Sequence, residues 1–205
     1  MKYTELLSLA KPYYPAEGSH GWNHIEDVLS TAKAMARIRK QRWRPEMTAA
    51  AAFHDSGLYI NGTDKDEVRE GHEDRGADIA GKRLQGLFTE EQLKRIKAAI
   101  REHRASYKGP YTSYLSDLIS SADRGAPDMK AKLLRSYAYH MEQGETPEQA
   151  YNGIAEFLPT KYGPNGYARI PMYYRALYAK QLKEYQKQMS ELTADKVRTV
   201  IEEQS

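Results

Sequence analysis

The amino-acid sequence predicts an all-α protein, and two observations carry that prediction. Apolar residues recur every three or four positions along nearly the whole chain, which is the spacing of one face of an α-helix. No segment shows the alternation of apolar and polar residues that is typical of a half-buried strand. The chain has 205 residues, 40% of them hydrophobic, so we expect a single domain (residues 1–205) with one substantial core.

Five helices with apolar faces are predicted in the first part of the chain. Their apolar positions are, in order, Ile25, Val28, Leu29, Ala32 and Met35; Met47, Ala50 and Ala51; Ile79, Ala80 and Leu84; Leu93, Ile96 and Ile100; and Leu115, Leu118, Ile119 and Ala122. Pro45 suits a first helical turn, where its missing N–H costs no hydrogen bond. Thr89 is followed by two acids, the pattern of a capped helix start. The polar segment from Ile60 to Arg69 contains Asn61-Gly62 and is predicted to be a loop.

The C-terminal third is predicted to hold four more helices and one long loop. Helices are expected at about 128–142 and 147–158, the second capped by Thr146. The stretch from Pro159 to Pro171 contains two further breakers, Gly163-Pro164 and Gly166, and is predicted to be a long loop. A helix is predicted from near Pro171 to about Leu192, and Thr193-Ala194-Asp195 is predicted to open a short terminal one.

Composition narrows the classes of function. The net charge of +3 gives no strong nucleic-acid signal, and no stretch approaches the roughly 20 apolar residues that span a membrane. The N-terminus lacks the apolar core of a secretory signal, and the absence of cysteine removes thiolate sites and is compatible with a reducing compartment. We therefore expect a cytoplasmic protein that does not associate with membranes, with homo-oligomerisation left open.

Histidines and aspartates supply the chemistry. His54-Asp55 is expected at the C-terminal end of a helix, where an imidazole and a carboxylate can turn toward one cation. His24 lies near the start of an apolar helix, and Asp123 follows Ile119 by one helical turn on the inward stripe. A carboxylate in a core is costly unless a cation or a donor holds it. Two imidazoles and two carboxylates suit a divalent transition metal.

The order His24, His54-Asp55, Asp123, with these helix contexts, resembles the HD-domain superfamily of metal-dependent phosphohydrolases. The resemblance covers about residues 18–128 and implies an HD-type helical bundle with the metal site in its core. Residues 128–205 would then complete the pocket. The implied cofactor is one or two divalent ions of Mn, Co, Zn, Fe or Ni.

Two more histidines extend the resemblance. The run from His72 to Ala77 is similar to a His-x-x-x-Gly-Ala segment of two-metal members such as the HD-GYP phosphodiesterases, and His103 matches the next ligand position there. The resemblance therefore implies a second metal held by His72 and His103 with Asp55 bridging, and catalytic roles for these three residues. The residues after His103 depart from the HD-GYP signature. The alternative is that His72 and His103 face the substrate around a single metal.

Several other residues are expected to bind the substrate. Those beside the metal ligands in sequence are His20, Arg104, Lys108 and Arg124, and those in the C-terminal third are Lys161 and Arg169. From 159 to 188 six cations accompany one acid, which is either a solvated helix face or a cationic wall for an anionic substrate. His20 either contacts substrate or supports His24, and His140 is expected to be structural.

These residues predict a metal-dependent phosphohydrolase that cleaves a phosphate ester or anhydride of a small molecule. A nucleotide is favoured by the 16 tyrosines, some of which could stack on a base, and by the cationic C-terminal third. A diiron oxygenase resembling myo-inositol oxygenase uses a similar ligand order and is the first alternative. A non-catalytic nucleotide-binding module is the second, although such a module has no physical need for buried carboxylates.

Overall fold

The computed structural model describes residues 3–18, 20–59 and 68–203 and confirms the all-α prediction. Its α-helices within these ranges are α1 (Tyr3–Ala10), α2 (Trp22–Ile38), α3 (Pro45–Phe53), α4 (His72–Leu84), α5 (Glu90–Arg101), α6 (Tyr114–Asp123), α7 (Met129–Glu142), α8 (Pro147–Tyr162), α9 (Met172–Ser190) and α10 (Ala194–Glu202). None of these helices is long and apolar enough to cross a membrane. The loop predicted at 60–69 lies outside the described residues, apart from its last two positions.

The predicted helix starts are confirmed where a capping signal supported them. Pro45 is the first residue of α3. Thr89 caps α5 and Thr146 caps α8, each in a reciprocal pair with a glutamine three residues later. Thr193 caps α10 through the backbone N–H of Lys196. These starts were predictable because each depends on side chains within a single turn.

The loop predicted from Pro159 to Pro171 is wrong at its beginning. Helix α8 continues through Pro159 to Tyr162, so Lys161 and Tyr162 lie on a helix. Proline removes one hydrogen bond and crowds the preceding turn, but here only one turn follows it. The hydroxyl of Thr160 donates to the carbonyl of Glu156 (2.9 Å), and the N–H of Gly163 bonds to the carbonyl of Pro159 (2.9 Å).

The contacts divide the chain into two compact units, and the single domain expected from the sequence stays a prediction. The first unit comprises Met1–Gly125 and Ile170–Leu177, and the second comprises Ala126–Arg169 and Tyr178–Ser205. Helix α9 contributes to both units, and its only non-helical backbone angles occur at Tyr178, where the division falls.

In the first unit, α3 is the central helix and packs against α1, α2, α4, α5 and α6. Its residues from Glu46 to Phe53 are all buried, so the helix has no solvent-facing side. Four consecutive alanines (49–52) keep it thin and let neighbouring helices approach closely. The buried carboxylate of Glu46 receives the Arg95 guanidinium of α5 at 2.7 Å. The C-terminal end of this central helix carries His54 and Asp55.

The first backbone N–H groups of helix α9 donate to acceptors supplied by α6. The buried carboxylate of Asp117 accepts the backbone N–H groups of Met172 and Tyr173, both at 2.9 Å, and the hydroxyl of Ser121 accepts that of Tyr174 at 3.1 Å. The first N–H groups of a helix have no partner within it, so α6 caps α9 from a distance in sequence. The same α6 ends at Asp123.

The second unit has a core of its own. Its buried residues are Leu133, Tyr151, Ile154, Leu158, Tyr185, Met189, Val197 and Ile201. The rings of Tyr137 and Tyr151 stack with centroids 5.6 Å apart. The ring of His140 lies 2.8 Å (Nδ1 to Oε2) from the carboxylate of Glu145, which gives it a local structural partner.

Candidate metal centre

The turn after α3 brings His54 and Asp55 into the interior. His54 is fully buried and its Nδ1 lies 2.8 Å from the carbonyl oxygen of Ala51. Asp55 is only 3% exposed. The chain leaves through Gly57, where a Cβ would lie 2.2 Å from the carbonyl oxygen of His72. A glycine is therefore required for the turn to rest against the start of α4.

One group of side chains joins three elements of the first unit. His24 comes from α2, His54 and Asp55 from the turn after α3, and Asp123 from the end of α6. One ligand atom from each lies within 4.8 Å of the other three. The shortest approaches are His24 Nε2 to Asp123 Oδ1 at 3.1 Å and His54 Nε2 to Asp55 Oδ2 at 3.2 Å.

A second group shares Asp55 with the first. His72, the first residue of α4, and His103, two residues after α5, each direct Nε2 at Asp55 Oδ1, at 3.4 and 3.2 Å. The two Nε2 atoms lie 3.4 Å from each other. All six predicted metal ligands therefore lie together, and five of them are at most 6% exposed. The Asp123 side chain is the most exposed, at 22%.

The backbone sets the orientation of three imidazoles. Nδ1 of His54, His72 and His103 lies 2.8, 2.7 and 2.6 Å from the carbonyl oxygen of the residue three positions earlier. A carbonyl only accepts, so Nδ1 carries the proton in the neutral ring and Nε2 presents its lone pair. This is the arrangement by which metal-ligating histidines are usually held.

The donor atoms fit a divalent cation. Neutral Nε2 atoms and carboxylate oxygens only accept, yet they converge within 3.1–3.8 Å of one another. His54 Nε2 is buried and makes no hydrogen bond of acceptable geometry. Such acceptors repel one another unless a proton or a cation lies between them. A set of imidazole nitrogens and carboxylate oxygens without sulfur suits Mn, Fe, Co, Ni or Zn.

Protons can take the place of a cation, as the pKa directions show. Burial alone would lower the pKa of His54, but Asp55 and Asp123 outweigh it and raise that pKa well above its usual value. For His72 burial also lowers the pKa, and Asp55 more than reverses this. Burial would raise the pKa of Asp55, but His54, His103 and His72 hold it well below its usual value.

Glu73 is a neighbour of the centre that the sequence did not single out. One carboxylate oxygen lies 3.1 Å from His72 Nδ1, and the other accepts from the Arg104 guanidinium at 2.9 Å. Burial would raise its pKa, but the hydrogen bond from Arg104, a backbone hydrogen bond and the charges of His72 and Arg104 together lower it. The available signal was an acid directly after His72. Asp74 is also an acid close to His72, but it pairs with Arg101, so the sequence alone did not distinguish the two.

The predicted substrate-binding residues of the first unit occupy different environments. His20 meets the ring of His24 edge to face at 5.8 Å, which puts it beside a predicted ligand. Arg104 pairs with Glu73, and Arg124 is buried directly after Asp123. Lys108 is exposed on the segment that follows His103. Their role in binding a substrate stays a prediction.

Lys161 and Arg169 belong to the second unit. The Lys161 ammonium lies 5.2 Å from the ring centroids of both Phe157 and Tyr162, so it stacks on two aromatic faces of its own helix. Arg169 is exposed in the segment between α8 and α9. Their predicted contact with substrate rests on the sequence alone.

A family model described as HD domain matches residues 21–191, which is most of the chain and extends well beyond the 18–128 predicted from the motif. No curated protein and no solved structure matches the chain.

Proposed function

We propose that this chain, which belongs to the HD domain family, is a metal-dependent phosphohydrolase that cleaves a phosphate ester or anhydride of a nucleotide. The family is composed mostly of metal-dependent hydrolases, and the clustered histidines and aspartates suit divalent metal binding. Reaction class, substrate and ligand roles are our proposals for this chain.

The division of the Asp55 carboxylate is the observation that carries the proposal. Its Oδ2 faces His24 and His54, at 3.8 and 3.2 Å. Its Oδ1 faces His72 and His103, at 3.4 and 3.2 Å. A carboxylate whose two oxygens serve two separate imidazole pairs is suited to bridging two cations, as in two-metal phosphate hydrolysis.

The chain's own contribution is to hold and orient. A bound divalent metal would lower the pKa of a coordinated water molecule and neutralise charge on a phosphoryl oxygen. The backbone carbonyls that hold three Nδ1–H groups keep the lone pairs aimed inward before any ligand arrives, which is preorganisation. Arg124 and Arg104 place guanidinium groups one residue after the ligands Asp123 and His103, and we assign them with His20 and Lys108 to the phosphorylated substrate.

Metal-stripped protein reloaded with manganese, cobalt, zinc, iron or nickel tests the proposal. Each form is incubated with a panel of nucleotides and phosphodiesters, and released phosphate is measured beside oxygen consumption. We expect phosphate release that requires the metal and no oxygen consumption. Oxygen consumption by the iron form without phosphate release would assign the centre to oxygenase chemistry, and neither reaction with any metal would favour a binding module.

A matched control separates loss of the centre from a general loss of histidine. His54→Ala removes a buried proposed ligand, whereas His140→Ala removes a half-buried histidine of the second unit that pairs with Glu145. The proposal expects His54→Ala to lose metal and activity and His140→Ala to keep both. Equal activity in the two variants would contradict it.

A further inference from the structure

The segment that follows His103 is braced into a fixed loop. The buried carboxylate of Glu102 accepts both the backbone N–H and the hydroxyl of Thr112, at 2.9 and 2.8 Å, and so brings the two ends of the loop together. The backbone N–H of Tyr107 bonds to the carbonyl of Arg104 at 3.0 Å. A loop with its ends joined and internal bonds of its own is of the Ω type, which frequently carries function.

Two tyrosines of this loop form an aromatic stack. The rings of Tyr107 and Tyr111 have centroids 6.0 Å apart and planes inclined by 23°. Tyr111 OH bonds to the buried Ser120 hydroxyl of α6 at 2.8 Å, and Tyr107 OH donates to the carbonyl of Pro110. A Cβ on Gly109 would lie 2.4 Å from Tyr107 OH, so the absence of a side chain at Gly109 lets the backbone pass close to the edge of this ring. Both rings keep partial exposure.

The stack is linked to two of the proposed ligands through short stretches of chain. The loop begins immediately after His103, one of the proposed ligands. At its other end the bond from Tyr111 reaches Ser120, which precedes the ligand Asp123 by three residues, a rise of about 4.5 Å along the helix axis. The loop that carries the rings therefore follows His103 at one end and is bonded near its other end to the helix that ends at Asp123.

The loop also has the charge that an anionic ligand requires. Arg104 and Lys108 are its two cations, and no acid occurs from His103 to Ser116. Arg104 is paired with Glu73. Lys108 is exposed, and within the described part of the chain it makes no ion pair or hydrogen bond.

We propose that Tyr107 and Tyr111 form an aromatic platform on which the base of a nucleotide stacks, with Lys108 contacting its anionic part. The inference rests on the proposed function, because the base that stacks on the platform belongs to the same nucleotide whose phosphate is hydrolysed. Flat rings fixed by hydroxyl anchors lose little conformational entropy on binding, and stacking accepts any base. The platform makes the protein selective for nucleotides over phosphates that lack an aromatic base, without selecting one base.

The test compares ligands that differ only in the base. Adenosine, guanosine, cytidine and uridine 5′-monophosphates are compared with ribose 5-phosphate on the metal-loaded protein by rapid-mixing fluorescence, which reads binding before turnover. Wild type should bind every nucleotide more tightly than the sugar phosphate. Tyr107→Leu should weaken nucleotide binding at least about fivefold, the loss typical of one stacking contact, and leave ribose 5-phosphate within about twofold.

Two further variants keep the result interpretable. Tyr107→Phe retains the ring and loses only its hydroxyl anchor, so a much larger loss in Tyr107→Leu than in Tyr107→Phe reports the ring. Tyr137→Leu disrupts the other stacked pair, in the second unit, and should leave both ligands unaffected. Equal weakening of nucleotide and sugar phosphate in Tyr107→Leu, or a wild type that binds both alike, overturns the inference.

The outcomes also separate this inference from the proposed function. Binding that depends on the Tyr107 ring, in a protein that hydrolyses no phosphate, supports the platform and contradicts the hydrolase. Hydrolysis of nucleotides and ring-free phosphates with the same KM, unchanged in Tyr107→Leu, supports the hydrolase and contradicts the platform.

Discussion

The two halves of the candidate metal centre differ in the side chains that they offer. The half formed by His24, His54 and Asp123 adds two imidazoles and a carboxylate to the shared Asp55, whereas the other half adds only His72 and His103. A cation held by fewer protein ligands keeps more positions for water and substrate, as in catalytic zinc sites. We infer that the four-ligand half anchors one metal and that the three-ligand half receives the phosphate.

Removing the shared residue should have the largest effect, because it disables both halves. Asp55→Ala should lose metal from both and reduce activity by far more than the about 10–100-fold that loss of an outer partner costs. Metal content by elemental analysis and phosphate release are the measurements, with circular dichroism to show that the helices persist. Asp78→Ala, which removes a largely exposed carboxylate of α4, is the control. Full activity in Asp55→Ala, or after exhaustive chelation, would disprove the metal mechanism.

Disabling one half should separate the two roles. His72→Ala combined with His103→Ala should roughly halve the metal content of a two-metal protein and reduce turnover by about 100-fold or more, because the anchored ion alone lacks its partner. The same two assays apply. Unchanged metal content in the double variant would instead place both histidines on the substrate side of a single ion.

Lowering the pH should release metal from the two halves of the centre one after the other. Imidazole must be neutral to ligate, and the raised pKa values of His54 and His72 mean that protons compete with metal already above pH 6.5. The carboxylates stay ionised at pH 5.5 because the pKa values of Asp55 and Asp123 are lowered. Two carboxylates should therefore retain a metal in the four-ligand half after the other is lost. Dialysis at pH values between 8 and 5.5 should show that metal is lost in two steps. Loss in a single step would show that the two halves do not differ in metal retention.

Stability of the metal-free protein should follow the same groups. A raised imidazole pKa stabilises the fold below about pH 6.5 and ceases to do so as the pH rises through the raised value, while the lowered carboxylate pKa values stabilise above about pH 4. Chelation should consequently lower Tm more at pH 8.5 than at pH 5.5. Equal shifts at the two values would show that these ionisations do not control the stability of the centre.

The smallest effect is expected from cations of the second unit. Changing Lys161 and Arg169 together to Gln should raise KM for an anionic substrate by no more than about fivefold, the range of an exposed charge contact of up to about 1 kcal/mol. Metal content and kcat should not change. If KM is also unchanged, the cations that meet the substrate are those beside the predicted ligands, and Lys161 is not one of them.

Sequence could predict that these histidines and aspartates lie together, because their order and helix contexts place them on inward faces. His54-Asp55 ends a helix, and Asp123 follows an apolar stripe by one turn, so the pattern and the helical period point to the same interior. The all-α class followed from the same period. The helix caps at Thr89, Thr146 and Thr193 were equally accessible, since each depends on contacts within one turn.

Features that depend on distant contacts could not be predicted. Glu73 and Asp74 are adjacent acids, and only the folded α4–α5 pair assigns one to His72 and the other to Arg101. Pro159 is a helix breaker by local rules, yet its helix continues for another turn. The stack of Tyr107 on Tyr111 needs the closure of a loop by Glu102, which no periodicity signals.

The cap that α6 provides for α9 also has a consequence for the order of folding. Asp117 and Met172 are 55 residues apart, so the first turn of α9 has its donors satisfied only after α6 has formed and docked. Amide hydrogen exchange at Met172, Tyr173 and Tyr174 therefore reports on the integrity of α6. These three amides report on α6 without an introduced probe, at some distance from the helix end that carries Asp123. Their exchange should accelerate together in any variant that loosens α6.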